Sequence, residues 1–199
     1  MRKLVILFGG AALLAACQTN PPPPPAPPPV AVDPNNPLFA PGFLAQAGSS
    51  GQFEIQSSQM AQQMSQNLAV RNFANMMIAD HTRLGQAMSA AAASAGIAPP
   101  PPGLLPADQA TLGQLGAVGS GPSFDLAYKN AQIAGHQAAL QLMQNYAASG
   151  DVPALRAAAS QAIPTIQMHL SQAQMLNVAP PAPPPPPAAP LPGRAGERG

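Results

Sequence analysis

Apolar positions along the chain fall into four long stripes with helical spacing, separated by short polar or Gly/Pro-rich breaks. Phe53, Ser57, Met60, Ala61, Met64 and Leu68 share one face of the first predicted helix. Ser49 with Gln52 three residues on reads as a capping box, so that helix is expected to start near Ser49 or Ser50. Asn67, Leu68 and Ala69 mark a bend or short break. The second stripe is Val70, Phe73, Ala74, Met77, His81, Leu84 and Met88, ending near Ala95 with Gly96 as a stop and Pro99 to Pro102 beyond it. A short helix is expected over residues 107–118, inside a proline-rich crossover. The third long helix is capped near Ser123 and runs to Ser149. Its inward face is read as Phe124, Tyr128, Ala131, Gly135, Ala139, Leu142 and Tyr146, with Asp125, Gln132, His136 and Met143 along one edge. The fourth starts at Asp151 as N-cap, with Pro153 in its first turn. It carries Leu155, Ala158, Ala162, Ile166, His169, Ala173 and Leu176 inward, and Pro164 is expected to kink it.

Amphipathic helices of this kind bury their stripes only against one another, so the expected fold is all-α, a four-helix bundle with one short extra helix in the crossover. The composition agrees. The central region is rich in Ala, Gln, Leu and Met and has few β-branched or aromatic runs. Proline is concentrated at the two ends, over residues 21–29 and 180–192. The expected organisation is a signal peptide at 1–16, a proline-rich tether at 17–40, the helical domain at 41–178 and a disordered proline-rich tail at 179–199. A proline tract favours extended polyproline II, which makes the tether a semi-rigid spacer.

The first residues supply a cellular address. Arg2 and Lys3 precede an apolar run, Leu4 to Leu14, that is short for a membrane span and has the layout of a secretory leader. Leu14-Ala15-Ala16-Cys17 resembles a bacterial lipobox, in which the cysteine thiol receives a diacylglyceryl group. Gln18 follows, and by resemblance to bacterial lipoproteins a residue other than Asp there implies the outer membrane. The expectation is therefore an exported protein, lipid-anchored through Cys17 at the periplasmic face of the outer membrane, with the membrane as its partner and any protein partner unknown. Cys17 is the single cysteine, and with it lipidated no thiol remains for disulfides, thiolate zinc sites or cysteine catalysis within the chain. Loss of Arg2 and Lys3 with the leader takes the formal charge from +1 to −1. There is no basic block or basic helix face, so nucleic-acid binding has no electrostatic footprint.

The candidate chemistry is in the histidines. There are three, His81, His136 and His169, each on a different long helix. With Glu54 they offer one ligand from each helix, a set suited to zinc or another divalent transition metal. Asp80, Asp125 and Tyr128 are candidates to orient them from behind. The reading the residues favour over a metal site is a polar core layer that holds register, with no cofactor expected. Thioether ligands from Met60, Met64, Met76, Met77, Met88, Met143, Met168 or Met175 would add a copper(I) reading, but inward methionine is more simply core filler. No nucleophile elbow stands beside a histidine, and Asp80 and His81, as chain neighbours on a helix, point about 100° apart. The residues thus favour a non-enzymatic, membrane-tethered envelope lipoprotein, a structural or binding module, with a periplasmic Glu/His metal-binding protein as the alternative.

Three segments carry a family resemblance. FEIQSSQMAQQMSQNLAVRNFANMMIADHTRL, FDLAYKNAQIAGHQAALQLMQNYAASGD and LRAAASQAIPTIQMHLSQAQ, in that order, resemble the bacterial exported family labelled domain of unknown function 4142. The resemblance implies a ferritin-like four-helix bundle and brings no activity with it. The di-iron site of ferritin-like bundles needs Glu-x-x-His on two helices. Here the residues three before the histidines are Ile78, Ile133 and Ile166, so that site is not encoded.

Overall fold

The computed structural model describes residue 33 and residues 35–179. The expected signal peptide, Cys17, most of the tether and nearly all of the tail lie outside the described residues. Within them the chain is all-α, with five helices: α1 (Ala40–Met64), α2 (Leu68–Ser94), α3 (Pro106–Ala117), α4 (Pro122–Ser149) and α5 (Pro153–Met175). No described helix is long and apolar enough to cross a membrane.

The four long helices pack in a closed ring, α1 against α2, α2 against α5, α5 against α4 and α4 against α1. Two backbone bonds fix the direction of α4 relative to α1. Gly121 N–H donates to the Met64 carbonyl at 3.1 Å, and Asp151 N–H donates to the Leu38 carbonyl at 3.1 Å. The start of α4 therefore meets the end of α1, and the end of α4 meets the start of α1. Short links make α1/α2 and α4/α5 antiparallel pairs. The crossover from α2 to α4 must return along the length of the bundle, and α3 lies within it against α1 and α4. One long crossover in a four-helix bundle is the ferritin-like connectivity.

The helix ends follow local chemistry. Asn67 caps α2, its side chain accepting from Ala69 N–H at 2.9 Å. Gly96 N–H bonds the Ala93 carbonyl and Ile97 N–H bonds the Ala92 carbonyl, a Schellman stop that closes α2. Gly121, at φ 100°, turns the chain into α4 in a conformation that an L side chain rarely adopts.

Several expected details are corrected. Helix α1 begins at Ala40, with Phe39 as N-cap, and Ser49 is buried mid-helix. Pro41 is tolerated in the first turn, where its missing N–H would be unpaired in any case, and Phe43 and Leu44 extend the buried stripe. Ser49 caps nothing; its hydroxyl donates to Asp108 and accepts from Leu105 N–H at 2.7 Å, pinning the crossover. The N-cap of α5 is Val152, and Asp151 instead accepts from Tyr146 Oη at 2.7 Å. Ala159 is buried where Ala158 was expected. On α4 the buried face turns by one position, so Gln132, His136 and Met143 are central, whereas Ala131, Gly135 and Leu142 are half-buried. Pro164 lies inside α5 with its ring exposed, so the hydrogen bond it forgoes lies on the wet side, and the expected kink there requires no buried partner.

The apolar core falls into two clusters. One contains Phe43, Leu44, Met143, Tyr146, Leu155 and Ile166. The other contains Phe53, Val70, Phe73, Met77, Phe124 and Tyr128. Phe43 stacks on Tyr146 with ring centroids 3.7 Å apart in the first. Between the two clusters runs a layer of buried polar residues, which includes all three histidines.

Candidate metal centre

Helical spacing brings each histidine to the bundle axis near the middle of its helix. His136 and His169 are fully buried and His81 is 6% exposed. His136 was read as an edge residue; it is central, because the α4 face is turned by one position. The three imidazoles form a near-equilateral set with centroid separations of 5.5, 5.3 and 5.4 Å. One ring nitrogen from each lies within 4.8 Å of the others. Three nitrogens bound to one zinc ion at 2.0–2.1 Å would stand roughly 3.3 Å apart, so modest ring rotations close the set.

The hydrogen bonds select the tautomers. Nδ1 of His136 donates to the Gln132 carbonyl at 2.7 Å, which leaves a lone pair on Nε2. Nε2 of His169 donates to Asp80 Oδ2 at 2.9 Å, which leaves a lone pair on Nδ1. Both of those remaining nitrogens, together with His81 Nε2, are buried without a hydrogen-bond partner. Asp80 in turn is paired with Arg83 on the next turn of α2. A carboxylate behind an imidazole fixes its orientation and raises its basicity, the usual support of a metal-binding histidine.

Electrostatics keep the rings neutral. Burial pulls His81 down to about 3, helped by the neighbouring imidazoles, and pulls His136 down to about 4. His169 is lowered by burial despite its bond to Asp80. Burial alone would raise Asp80, but hydrogen bonds from His169 and Arg83 outweigh it and hold the carboxyl below its ordinary value. A neutral imidazole is the ligating form, so none of the three needs to lose a proton at neutral pH to bind a cation.

The other candidates have different surroundings. Glu54 is 1% exposed and belongs to the same layer, but it is not part of the close nitrogen cluster; its Oε1 lies 3.5 Å from Nδ1 of His136. Burial raises its carboxyl well above the usual range. A Cβ at Gly135 would stand 2.7 Å from that Oε1, so the glycine provides the room the carboxyl occupies. Asp125 is buried in the first turn of α4, about three turns from His136, where it complements the helix dipole. Tyr128 pairs with Ser58, Oη to Oγ 2.7 Å. The methionines are dispersed: Met77 and Met143 lie in opposite core halves, and Met168 and Met175 are 43% and 72% exposed.

Sequence reasoning placed Ser57 on an inward face and Gln132 beside His136 but gave neither a role, and it did not mention Ser58 or Arg83. Gln132 Nε2 donates to Ser57 Oγ at 3.0 Å within the polar layer. Its spacing, four residues before His136 on the same face, was the available signal.

The sequence model of the family described as Domain of unknown function (DUF4142) matches residues 25–176. The chain belongs to this family, whose description names no activity. Neither the curated proteins nor the solved structures contain a match to the chain.

Proposed function

We propose that this protein is an exported, membrane-tethered lipoprotein whose helical bundle binds one divalent transition metal ion through His81, His136 and His169. The observation that carries the reading is the convergence of three neutral imidazoles, each with a buried nitrogen that bonds to nothing in the protein. A polar layer that served only to hold register would be expected to satisfy its own hydrogen bonds, because each unsatisfied buried group costs about 1–3 kcal/mol. Here Gln132 Oε1 and one nitrogen of each ring lack hydrogen-bond partners. A cation would engage the three nitrogens and place positive charge beside Glu54, offsetting the cost of ionising that carboxyl. All-nitrogen donors favour zinc, copper, nickel or cobalt over magnesium or calcium. The lipobox-like Leu14-Ala15-Ala16-Cys17 and the proline-rich segment after it support the tether.

Metal analysis of the full-length protein, purified without a polyhistidine tag, tests the metal reading. One equivalent of metal in the wild type and its loss in His136→Ala are expected. No bound metal, with no rise in melting temperature on adding zinc, copper, nickel or cobalt, would sink it. Mass spectrometry of the mature N-terminus tests the anchor, which requires an acylated Cys17.

A further inference from the structure

The polar layer meets solvent on one side. His136, His169, Ser57 and Gln132 are fully buried, whereas Asp80 and His81 are 8% and 6% exposed. Both of these lie in the wall of a cavity of about 1150 Å³ bounded by α1, α2, α5 and crossover residues 99–105. The cavity stops short of the metal-binding atoms: Nε2 of His81, Nε2 of His136 and Nδ1 of His169 are buried behind that wall. The lining is partly polar, with hydroxyl and amide groups from Ser50, Gln52, Thr82 and Gln86. Asp80 is the one carboxylate in it and Arg83 the one permanent cation, and the two are paired with each other. Three helical glycines, Gly48 and Gly51 on α1 and Gly85 on α2, line the same cavity, and a Cβ at any of them would meet nothing within 4 Å. Packing does not require glycine there, although each costs about 1 kcal/mol of helix propensity relative to alanine. Their effect is open space in front of the layer, and Gly85 stands one turn beyond His81.

An ion bound for three buried nitrogens must pass the part of the layer that solvent touches. We propose that this cavity is the entry route for a hydrated divalent cation, with Asp80 as its first ligand and Arg83 as the guard that the cation displaces. The inference rests on the metal reading. Oδ1 of Asp80 faces Arg83, whose side chain is mostly exposed, so an incoming cation meets this oxygen before it meets a ring nitrogen. Oδ2 of the same carboxylate accepts from Nε2 of His169 at 2.9 Å. Capture at Asp80 therefore brings the ion beside His81, its neighbour in the wall, and one side chain away from His169. The guanidinium competes for the capturing oxygen and repels a divalent cation. It slows passage in both directions without joining the final coordination set. The open space at Gly85 leaves the approach to His81 unobstructed.

The test uses the full-length, untagged protein and cobalt(II), whose visible bands report coordination by the rings. Cobalt stoichiometry is measured first, and absence of uptake sinks both the metal reading and this inference. Where cobalt binds, uptake is followed by stopped-flow mixing and release by transfer to excess EDTA. Arg83→Ala is expected to speed both by about tenfold, the low end of electrostatic effects on association. Its affinity should move much less than either rate, because a lowered barrier cancels in their ratio. Arg83→Lys, which keeps the charge, should stay near the wild-type rates. Gly85→Leu, which puts a side chain into open space beside His81 without a clash, should slow uptake and release alike and keep stoichiometry. Asp80→Asn should slow uptake as well as weaken binding, whereas a residue that only orients His169 would change release alone. Bound cobalt with wild-type uptake in Arg83→Ala, Gly85→Leu or Asp80→Asn overturns the route and leaves the metal reading standing. So does an acceleration in Arg83→Ala that Arg83→Lys reproduces.

Discussion

Asp80 hydrogen-bonds to His169 on α5, 89 residues away, and not to His81 beside it in the chain. The two acceptor oxygens of Asp80 divide their work, Oδ2 taking the His169 Nε2–H and Oδ1 pairing with Arg83. The carboxylate therefore ties α2 to α5 and aims the Nδ1 of His169 into the bundle.

That pairing predicts the behaviour of Asp80→Asn. The variant keeps the size of the side chain but weakens the hold on the imidazole. Metal affinity is expected to fall about 10- to 100-fold with stoichiometry retained, as read by competition with a chromophoric chelator. Arg83→Ala should do much less, because the Arg83 side chain is 74% exposed and its ion pair is screened by solvent. An Asp80→Asn protein with wild-type affinity would remove Asp80 from the metal-binding machinery.

The histidines predict acid sensitivity in the metal-free protein. Their folded-state values lie below the ordinary 6.5, at about 3 for His81 and about 4 for His136. The unfolded chain therefore binds more protons as the pH falls. Their contribution to stability is fully present above pH 6.5 and is lost progressively as the pH drops toward the folded values. Glu54 acts with the opposite sign. Its raised value makes its contribution complete below the ordinary carboxyl range and lost as the pH rises through the folded value. The melting temperature of the apo-protein should fall below about pH 6.5, and His136→Gln should flatten that slope. A flat profile from pH 7 to 4.5 would contradict neutral buried imidazoles. Bound metal should move the loss to lower pH, since protons must displace it.

Glu54 and Gly135 should couple. Glu54→Gln removes a buried acid that resists ionisation and is expected to stabilise the apo-protein by about 1–2 kcal/mol at neutral pH. Gly135→Ala gains about 1 kcal/mol of helix propensity but brings a Cβ to within 2.7 Å of the Glu54 carboxyl. The single Gly135→Ala change should be net destabilising, and in a Glu54→Ala background it should be stabilising. A double-mutant cycle by urea denaturation measures this coupling, and additive changes would show that the two residues do not compete for space.

Ser49→Ala tests the crossover. The hydroxyl bonds both Leu105 N–H and Asp108, so its loss frees the segment 99–108 from α1. A loss of about 1–2 kcal/mol is expected, with faster amide exchange confined to the crossover. Exchange that rises equally in all helices would mean that Ser49 supports the whole bundle.

Much of this architecture is legible in the sequence. The stripes through Val70–Met88 and Leu155–Leu176 repeat at the helical period because each helix has one dry face, and that period survives without knowledge of the partners. Two classes of feature were not legible. The start of α1 failed where serine had two uses: Ser49 reads as a cap but bonds a segment more than fifty residues on. The rotation of α4 failed because Ala131 and Gly135 are small enough to fit inside or outside, so hydropathy did not distinguish their face from that of Gln132 and His136.

By itself the sequence determined an all-α bundle, its helix count and the placing of one histidine on each of three long helices, since propensity and periodicity are local properties. Only the tertiary structure decided that the three rings meet, that Asp80 serves His169, and that Glu54 stands beside His136 outside the close nitrogen set. These depend on the rotation and axial register of each helix against its neighbours, and one position along a helix turns a side chain by about 100°.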